Sequence, residues 1–318
     1  MKKLIVLSSI LVAFFLYHDA SGITATKGKS QPATVGKRAL THISHTLFNS
    51  LYIEGVYKLS PEINKSITSE YPLYVSEINS GLIYCAEVKN GNNVIISQEF
   101  FFSQYDSITA LWDKPINIEK EYSAFCEVNK TMNFQEIFIA IDNDIYRVDL
   151  KSNTFSPQKL NINTKYIESS PVLSSDGSTL YFISDRKDGY GGKDIWASER
   201  SSNGSWIEPY NLGKNINTSE DEESPYLMSD GATLYFSSKG HNSYGGYDIF
   251  VTTQNDEGLW ADPEKLNAPV NSTSDDYYYI TDSYGNLAYY SSDKMGEGNQ
   301  DIFIVRYNSL NNVTIKTL

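Results

Sequence analysis

Short apolar and aromatic runs, each bounded by turn residues, recur along residues 69–318. A typical run, residues 180–183, is apolar without clean alternation, as expected of a strand buried on both faces. Asp-Gly and Asn-Gly pairs that favour tight hairpins adjoin several runs, for example at 176–177, 230–231 and 90–91. We find no long amphipathic helical pattern in this part of the sequence, so the pattern predicts an all-β fold.

The runs repeat in a fixed order. Residues 168–182 recur as residues 222–236, which places Asp176-Gly177 and Asp230-Gly231 at corresponding positions 54 residues apart. The motif Gly-Gly-x-Asp-Ile-aromatic recurs at the same interval, with Asp194 corresponding to Asp248. A weaker third copy contains Asp301. Such a period indicates an array of equal structural units.

Looser copies upstream extend the array to five units, which begin near residues 69, 121, 168, 222 and 275. Each unit reads as four short strands, a pattern typical of a β-propeller blade. Residues 313–318 read as an outer strand. Residues 51–57 also read as a strand that either seals the ring or belongs to an extra blade. The sequence favours five blades, with six as the alternative, and a propeller domain over residues 51–318.

The N-terminus has the features of a secretory signal peptide over residues 1–22. Lys2 and Lys3 precede an apolar run at 4–16, and Ala20 and Gly22 supply small residues at a cleavage site. The run is shorter than the roughly 20 residues that span a bilayer, so we expect no membrane-spanning segment after signal removal. We expect an exported protein that is periplasmic, associated with the outer membrane, or secreted.

Charge is distributed unevenly. The net charge of the chain is −13, yet residues 23–50 contain four basic residues and no acidic one. We interpret 23–50 as a basic arm or linker. The acidic remainder would repel a polyanion, so nucleic acid is not an expected partner. Cys85 and Cys126 could pair in an oxidising compartment, although two buried unpaired thiols are the favoured alternative.

The motifs Asp-Gly-x-x-Leu-Tyr-Phe and Gly-Gly-x-Asp-Ile-aromatic, at 176–182, 230–236, 191–196 and 245–250, resemble TolB-type propeller repeats. The resemblance is strongest to the version in envelope proteins of the Bacteroidetes, which often accompanies an OmpA-like domain. It covers residues 168–303 well and residues 69–160 loosely. It implies an interaction platform in the bacterial envelope. A sialidase Asp box does not match, because glycine directly follows Asp176 and Asp230.

Candidate chemistry is sparse. The histidines of the expected mature chain are His42, His45 and His241, and no Gly-x-Ser-x-Gly elbow presents a nucleophilic serine. No segment has the spacing of a calcium loop, although the sequence leaves open whether the acidic loops bind a Ca²⁺ ion. We therefore predict no catalytic residue, no cofactor and no metal site. The sequence predicts that the chain is not an enzyme.

Residues that recur in every unit are expected to serve the scaffold. A carboxylate beside a glycine-rich loop usually accepts backbone N–H groups and fixes the turn. This interpretation applies to a recurring set: Asp176, Gly177, Asp194, Asp230, Gly231, Asp248 and Asp301. Function should then lie where the units differ.

The units differ in their loops, at 185–190, 239–244 and 275–279. Tyrosine beside polar residues suits a protein or glycan surface. We predict partner contacts from Tyr190, Tyr244, Tyr278, Asp185, Asp188, Asp275 and Asp276. The predicted function is a non-catalytic module that binds an envelope protein or a cell-wall or glycan component. The alternative is an exported glycan- or peptide-acting enzyme with carboxylates at the propeller mouth.

Overall fold

The structure is a computed structural model that describes residues 51–309, with gaps at 67, 76–80, 93–94, 107–108, 110, 123–134, 153, 283–284 and 295–298. All of the described residues belong to one compact unit, Gly36–Leu318. The predicted signal peptide, the basic arm, Cys126 and the strand expected at 313–318 lie outside the described residues. The proposed pairing of Cys85 with Cys126 therefore stays a prediction.

The described strands form five small antiparallel sheets, the blades of a five-bladed propeller. Blade 1 contains β2 (Ser69–Val75), β3 (Gly81–Lys89), β4 (Ile95–Asp106), β5 (Leu111–Trp112) and β6 (Ile116–Asn117). Blade 2 contains β7 (Glu136–Ile141), β8 (Asp144–Asp149) and β9 (Gln158–Lys159). Blade 3 contains β10 (Glu168–Leu173), β11 (Thr179–Ser184), β12 (Asp194–Glu199) and β13 (Tyr210–Asn211).

Blade 4 contains β14 (Glu222–Leu227), β15 (Thr233–Ser238), β16 (Asp248–Thr253) and β17 (Glu264–Lys265). Blade 5 contains β18 (Asp276–Thr281), β19 (Leu287–Ser292), β20 (Asp301–Ser309) and β1 (Leu51–Lys58). The first strands β10, β14, β18 and β2 contact one another in that order around the ring, which makes them the inner strands. The prediction of an all-β propeller with five blades is confirmed.

The ring closes through the N-terminal strand. Strand β1 pairs antiparallel with β20, with Val56 opposite Val305 and Lys58 opposite Phe303. Residues 51–57 therefore complete blade 5 and do not begin a sixth blade. Closure of this kind removes the two exposed sheet edges that an open array would leave.

One backbone hydrogen bond recurs between neighbouring blades. A residue at the start of each of four inner strands donates its N–H group to the carbonyl that lies directly before β8, β12, β16 or β20 of the neighbouring blade. The pairs are Glu168 to Asn143 (2.9 Å), Glu222 to Lys193 (2.7 Å), Asp276 to Tyr247 (2.8 Å) and Glu70 to Gln300 (2.8 Å). The last pair joins blade 5 to blade 1, and the other pairs join blades that follow one another in the chain. The closing seam therefore has the same hydrogen bond as the other seams between blades.

Buried asparagines fix the third strands. The side chain of Asn217 accepts the N–H of Ile195 at 2.8 Å and donates to its carbonyl at 2.9 Å. Asn271 binds Ile249 in the same way, at 2.7 Å and 2.8 Å. Asn64 does so for Ile302 at the closing seam. The recurring Asp-Ile motif therefore depends on an asparagine that follows it by 22 residues in blades 3 and 4 and that comes from the N-terminal side of the closing seam in blade 5.

Glycines in the Tyr-Gly-Gly loops allow close packing on the next blade. A Cβ atom on Gly191 would clash with the carbonyl oxygen of Glu220, and one on Gly245 would clash with that of Thr273. No other residue type fits in so small a space. The loops 185–193 and 239–247 therefore lie against the connector that leads into the following inner strand.

Within the described ranges, no helix combines the length and apolar character that a membrane crossing requires.

Candidate functional site

One end of the ring, which we call the upper face, holds both the starts of the inner strands and the loops 185–193 and 239–247. Polar and aromatic side chains from four blades meet there near the ring axis. We call this group the axial cluster; its members are Tyr71, Glu87, Lys89, Ser170, Lys193, Glu223, Tyr247, Tyr277 and Tyr278.

Glu223 of blade 4 is held by two groups from blade 3. Lys193 Nζ lies 2.5 Å from Glu223 Oε1, and Ser170 Oγ donates to Oε2 at 3.2 Å. Ser170 Oγ also lies 3.2 Å from the hydroxyl of Tyr278 on blade 5. The negative charge of Glu223 raises the pKa of Lys193. The Glu223 side chain is 11% exposed, so it reaches the surface of the upper face.

Glu87 of blade 1 has weaker partners. Gln98 Nε2 donates to Glu87 Oε1 at 3.3 Å, and Lys89 Nζ lies 3.9 Å from Oε2. Lys89 instead donates to the Tyr71 hydroxyl at 2.9 Å. Burial raises the pKa of Glu87, and the negative charge of Glu223 raises it further. The two carboxylates therefore influence each other electrostatically but sit in unlike surroundings.

Four tyrosines form a continuous aromatic wall between these acids. The ring centroids of Tyr71 and Tyr278 are 4.9 Å apart, those of Tyr278 and Tyr277 6.3 Å, and those of Tyr277 and Tyr247 4.7 Å. Burial raises the pKa of each phenol, and both Glu223 and Glu87 add to the rise at Tyr278. The hydroxyls therefore stay protonated, and that of Tyr247 donates to Asp221 at 3.2 Å.

The inner strands share a bulge with left-handed backbone at Ser170 (φ 48°), Ser224 (φ 53°) and Tyr278 (φ 52°). Left-handed backbone is costly for residues other than glycine and often marks a functional site. Here it recurs at corresponding positions in three blades, so it belongs to the scaffold. Two of these bulges carry serine, and the bulge of blade 5 carries Tyr278.

The aspartates predicted to fix turns make the expected contacts. Asp194 accepts the N–H of Tyr190 at 2.5 Å and that of Gly191 at 3.1 Å, and Asp248 accepts the N–H of Tyr244 at 2.5 Å. Their effect on stability stays a prediction.

The hairpin aspartates behave similarly. Asp176 accepts the N–H of Ser178 at 3.0 Å, and Asp230 accepts that of Ala232 at 2.9 Å. Gly177 and Gly231 adopt positive φ, at 73° and 69°. Asp301 forms an ion pair with Lys58 of the closing strand at 2.8 Å. These residues are distributed around the ring and do not form one site.

The residues predicted to contact a partner fall into two groups. Tyr190 and Tyr244 are 54% and 67% exposed on the loops of blades 3 and 4, and Asp188 is exposed beside Tyr190. Tyr278, in contrast, lies inside the axial cluster. The structure therefore separates two tyrosines at the rim from one at the axis.

Three predicted acids have structural contacts. Asp185 accepts the N–H of Ile167 at 2.7 Å, and Asp275 accepts that of Tyr247 at 2.9 Å. Asp276 is fully buried and accepts the N–H of Ser272 at 2.7 Å. The loop expected at 275–279 is instead mostly the inner strand β18. Asp276 therefore offers no surface for a partner.

Sequence reasoning did not single out Glu87, Glu223 or Lys193. Residues 220–223 stand out only as an acidic run, and nothing local marks Glu87. One signal was available. Glu222 follows Thr218 by four residues and binds its hydroxyl, as Glu168 binds Thr164, so Glu222 recurs and Glu223 does not. A non-recurring acid at the start of an inner strand is the better candidate for function.

No family model matches the sequence, and no curated protein matches it. Solved structures do match in fold. One described as "Glycoside hydrolase" superposes with a TM-score of 0.54 at 9% identity, covering 86% of this chain and 96% of the other. Another, described as a complex of BT0996 with RGII, has a TM-score of 0.52 at 9% identity and covers 87% and 96%.

A putative TolB from Agrobacterium tumefaciens is also among the similar structures, with a TM-score of 0.41 and 12% identity over 74% of this chain and 76% of that one. At these identities the similarities show the fold alone. The chain is a β-propeller with TolB-like structures among its neighbours. A Bacteroidetes origin and an association with an OmpA-like domain stay predictions.

The prediction that the chain is not an enzyme is overturned by these comparisons. It rested on the scarcity of histidines, on the lack of a nucleophilic serine motif and on the resemblance to propellers that serve as interaction platforms. The fold of this chain superposes over most of its length on that of a protein described as a glycoside hydrolase. The fold therefore gives no ground for excluding catalysis, and the question of activity turns on the axial cluster.

Proposed function

We propose that the protein is an exported hydrolase of the cell envelope that cleaves glycan chains at the axial cluster. The observation that carries the proposal is the pairing of Glu87 and Glu223 at one aromatic site. They come from blades 1 and 4, and their surroundings differ. A pair of carboxyl groups, one acting as the acid and the other as the base, is the chemical requirement for glycoside hydrolysis.

The surroundings assign a role to each acid. Burial keeps a proton on Glu87 to higher pH, so Glu87 is the general acid that protonates the glycosidic oxygen as the C–O bond breaks. Glu223, which Lys193 and Ser170 bind, takes a proton in the proposed reaction from the water that attacks the anomeric carbon. One C–O bond is cleaved and two protons are transferred, so the proposed reaction balances without a cofactor.

The aromatic wall supplies the binding surface. Sugar rings have apolar faces that pack on aromatic side chains and hydroxyls that need polar partners. Tyr277 and Tyr278 offer both a ring face and a protonated hydroxyl beside Glu223. We expect hydrolysis to decline as pH rises through the raised pKa of Glu87, because the general acid must be protonated.

Glu87→Gln and Glu223→Gln are each expected to lower kcat/KM by about a hundredfold or more, since each removes a proton-transfer group. The measurement is release of reducing ends from cell-wall and plant polysaccharide fragments. Glu220→Gln is the control, because Glu220 is an exposed acid on the same connector. Equal rates in wild type and both site variants, or no release from any fragment, would count against the proposal.

A second candidate function is partner binding at the rim, with an envelope protein or a cell-wall component as partner. The observation that favours it is the exposure of Tyr190 and Tyr244 on adjacent blades. Each loop is fixed by its aspartate and its glycines, so the rings are presented in a defined place. The acidic body favours a basic partner surface, whose association should slow as salt rises.

Tyr190→Ala and Tyr244→Ala should each weaken the binding of such a partner by about 2 kcal/mol, as truncation of an aromatic anchor commonly does. The measurement is a titration against the purified partner at low and high salt. Tyr210→Ala is the matched control, because Tyr210 is 45% exposed but lies on the outer strand of blade 3. Equal losses of binding affinity in all three variants would contradict partner binding at the rim.

A further inference from the structure

The seam between blades 2 and 3 differs from its neighbours in the length of one loop. Two residues, Asp142 and Asn143, join β7 to β8. Nine residues, 185–193, join the corresponding strands of blade 3, and nine, 239–247, join those of blade 4. In those blades the loop lies against the connector into the next blade, with Gly191 packed on Glu220.

The short turn of blade 2 leaves the corresponding connector, residues 164–167, uncovered. A cleft of about 310 Å³ lies in its place, bounded on the far side by Asp185. We call it the seam cleft. Its lining consists of Asp142, Asn143, Asp144, Thr164, Lys165, Tyr166, Ile167 and Asp185. A cavity near 300 Å³ is at the small end of ligand sites and matches one sugar ring better than a chain.

We propose that the seam cleft binds a single neutral sugar unit. The cleft presents ammonium groups beside its acids: Lys159 Nζ lies 2.6 Å from Asp144, and Lys165 Nζ lies 5.3 Å from the centre of the Tyr166 ring. A cationic ligand would meet these ammonium groups. A ligand rich in hydroxyls instead uses both kinds of partner, because it donates to carboxylates and accepts from lysine.

Tyr166 gives the cleft its ring face, and it lies on the connector that the longer loops cover in blades 3 and 4. Asp185 is anchored by its bond with the N–H of Ile167 and therefore keeps the far wall in place. The seam cleft shares no residue with the axial cluster. The inference stands whether or not the axial cluster is hydrolytic.

The test is a titration of the full chain with N-acetylglucosamine and with galactose, followed through the backbone amide NMR signals. We expect shifts at 142–144 and 164–167, whereas axial binding would instead move signals at 222–223 and 276–278. Tyr166→Ala and the conservative Asp144→Asn should each raise the dissociation constant at this cleft by about tenfold. Asp262→Asn, which changes an exposed acid elsewhere, should leave it unchanged.

Thermal melting of each variant checks that it folds. Retained binding in both cleft variants would overturn the proposal, as would the absence of shifts at the cleft with either sugar. A parallel titration with methylammonium chloride tests the class of ligand. Shifts at the cleft with methylammonium but with neither sugar would show a cation site and would also overturn it.

Discussion

Glu70→Gln is expected to raise the free energy of unfolding at pH 9 by about 2–4 kcal/mol and to leave it nearly unchanged at pH 4. Glu70 is the second residue of β2, the inner strand of blade 1, and is fully buried at the closing seam. Burial raises its pKa to about 8. Thr68 and the backbone of Lys65 bind one carboxyl oxygen, while no partner for Oε2 is found among the described residues.

The direction of the expected change in stability follows from how many protons each state binds. Between the ordinary pKa of 4.5 and the folded value of about 8, the folded state binds more protons than the unfolded state. Stability therefore falls as pH rises through this window, and the whole cost is present above it. Glutamine carries no charge and avoids that cost. Glu222 and Asp276, whose pKa values are raised to about 7 and about 6, add to the same trend.

Urea unfolding of wild type and variant at a series of pH values measures the difference. The expected curves coincide below pH 4.5 and diverge as pH rises. A difference that does not depend on pH, or a variant that is less stable at pH 9, would show that Glu70 does not carry an elevated pKa.

Glu168→Gln is expected to have the opposite effect on stability. It should destabilise the fold by about 3–5 kcal/mol at neutral pH, the usual cost of breaking a buried ion pair. Glu168 occupies the corresponding position in blade 3. Its Oε1 lies 3.2 Å from Arg186, whose side chain is only 8% exposed. The variant would leave a buried guanidinium without its carboxylate. Arg186 stacks on Phe182 and Trp196, so it cannot easily move to water.

The double variant Glu168→Gln with Arg186→Met separates charge from packing. It should recover a large part of the loss, because an apolar side chain of similar length can fill the site without a counterion. The measurement is urea unfolding at pH 7. Wild-type stability in the single variant, or no recovery in the double variant, would mean that the pair contributes through something other than its charge.

The fold could be predicted because every blade needs the same residues. The hairpin aspartates, the glycine loops and the Asp-Ile motif recur since each solves the same local problem in each blade. The count of five was also within reach, although the sequence could not decide whether residues 51–57 close the ring or belong to an extra blade. Pairing of that strand with β20 joins opposite ends of the chain, and a local pattern carries no information about such pairing.

The axial cluster could not be predicted because its members come from four blades and share no motif. Glu87 and Glu223 meet only after the ring closes. Loop variability was also a partly misleading signal. Arg186, His241 and Lys294 vary between blades, yet each packs against aromatic rings of its own blade. Sequence variation at these three positions therefore reflects different ways of packing the blade and does not mark a binding site.

The central claim is that the axis, rather than the rim, is where a glycan is processed. A crystal structure of Glu223→Gln soaked with the oligosaccharide that the protein binds best tests it most directly. We predict a sugar ring against Tyr277 and Tyr278, with its glycosidic oxygen within hydrogen-bonding distance of Glu87. A ligand seated only on Tyr190 and Tyr244 or in the seam cleft, with the axis empty, would contradict the claim.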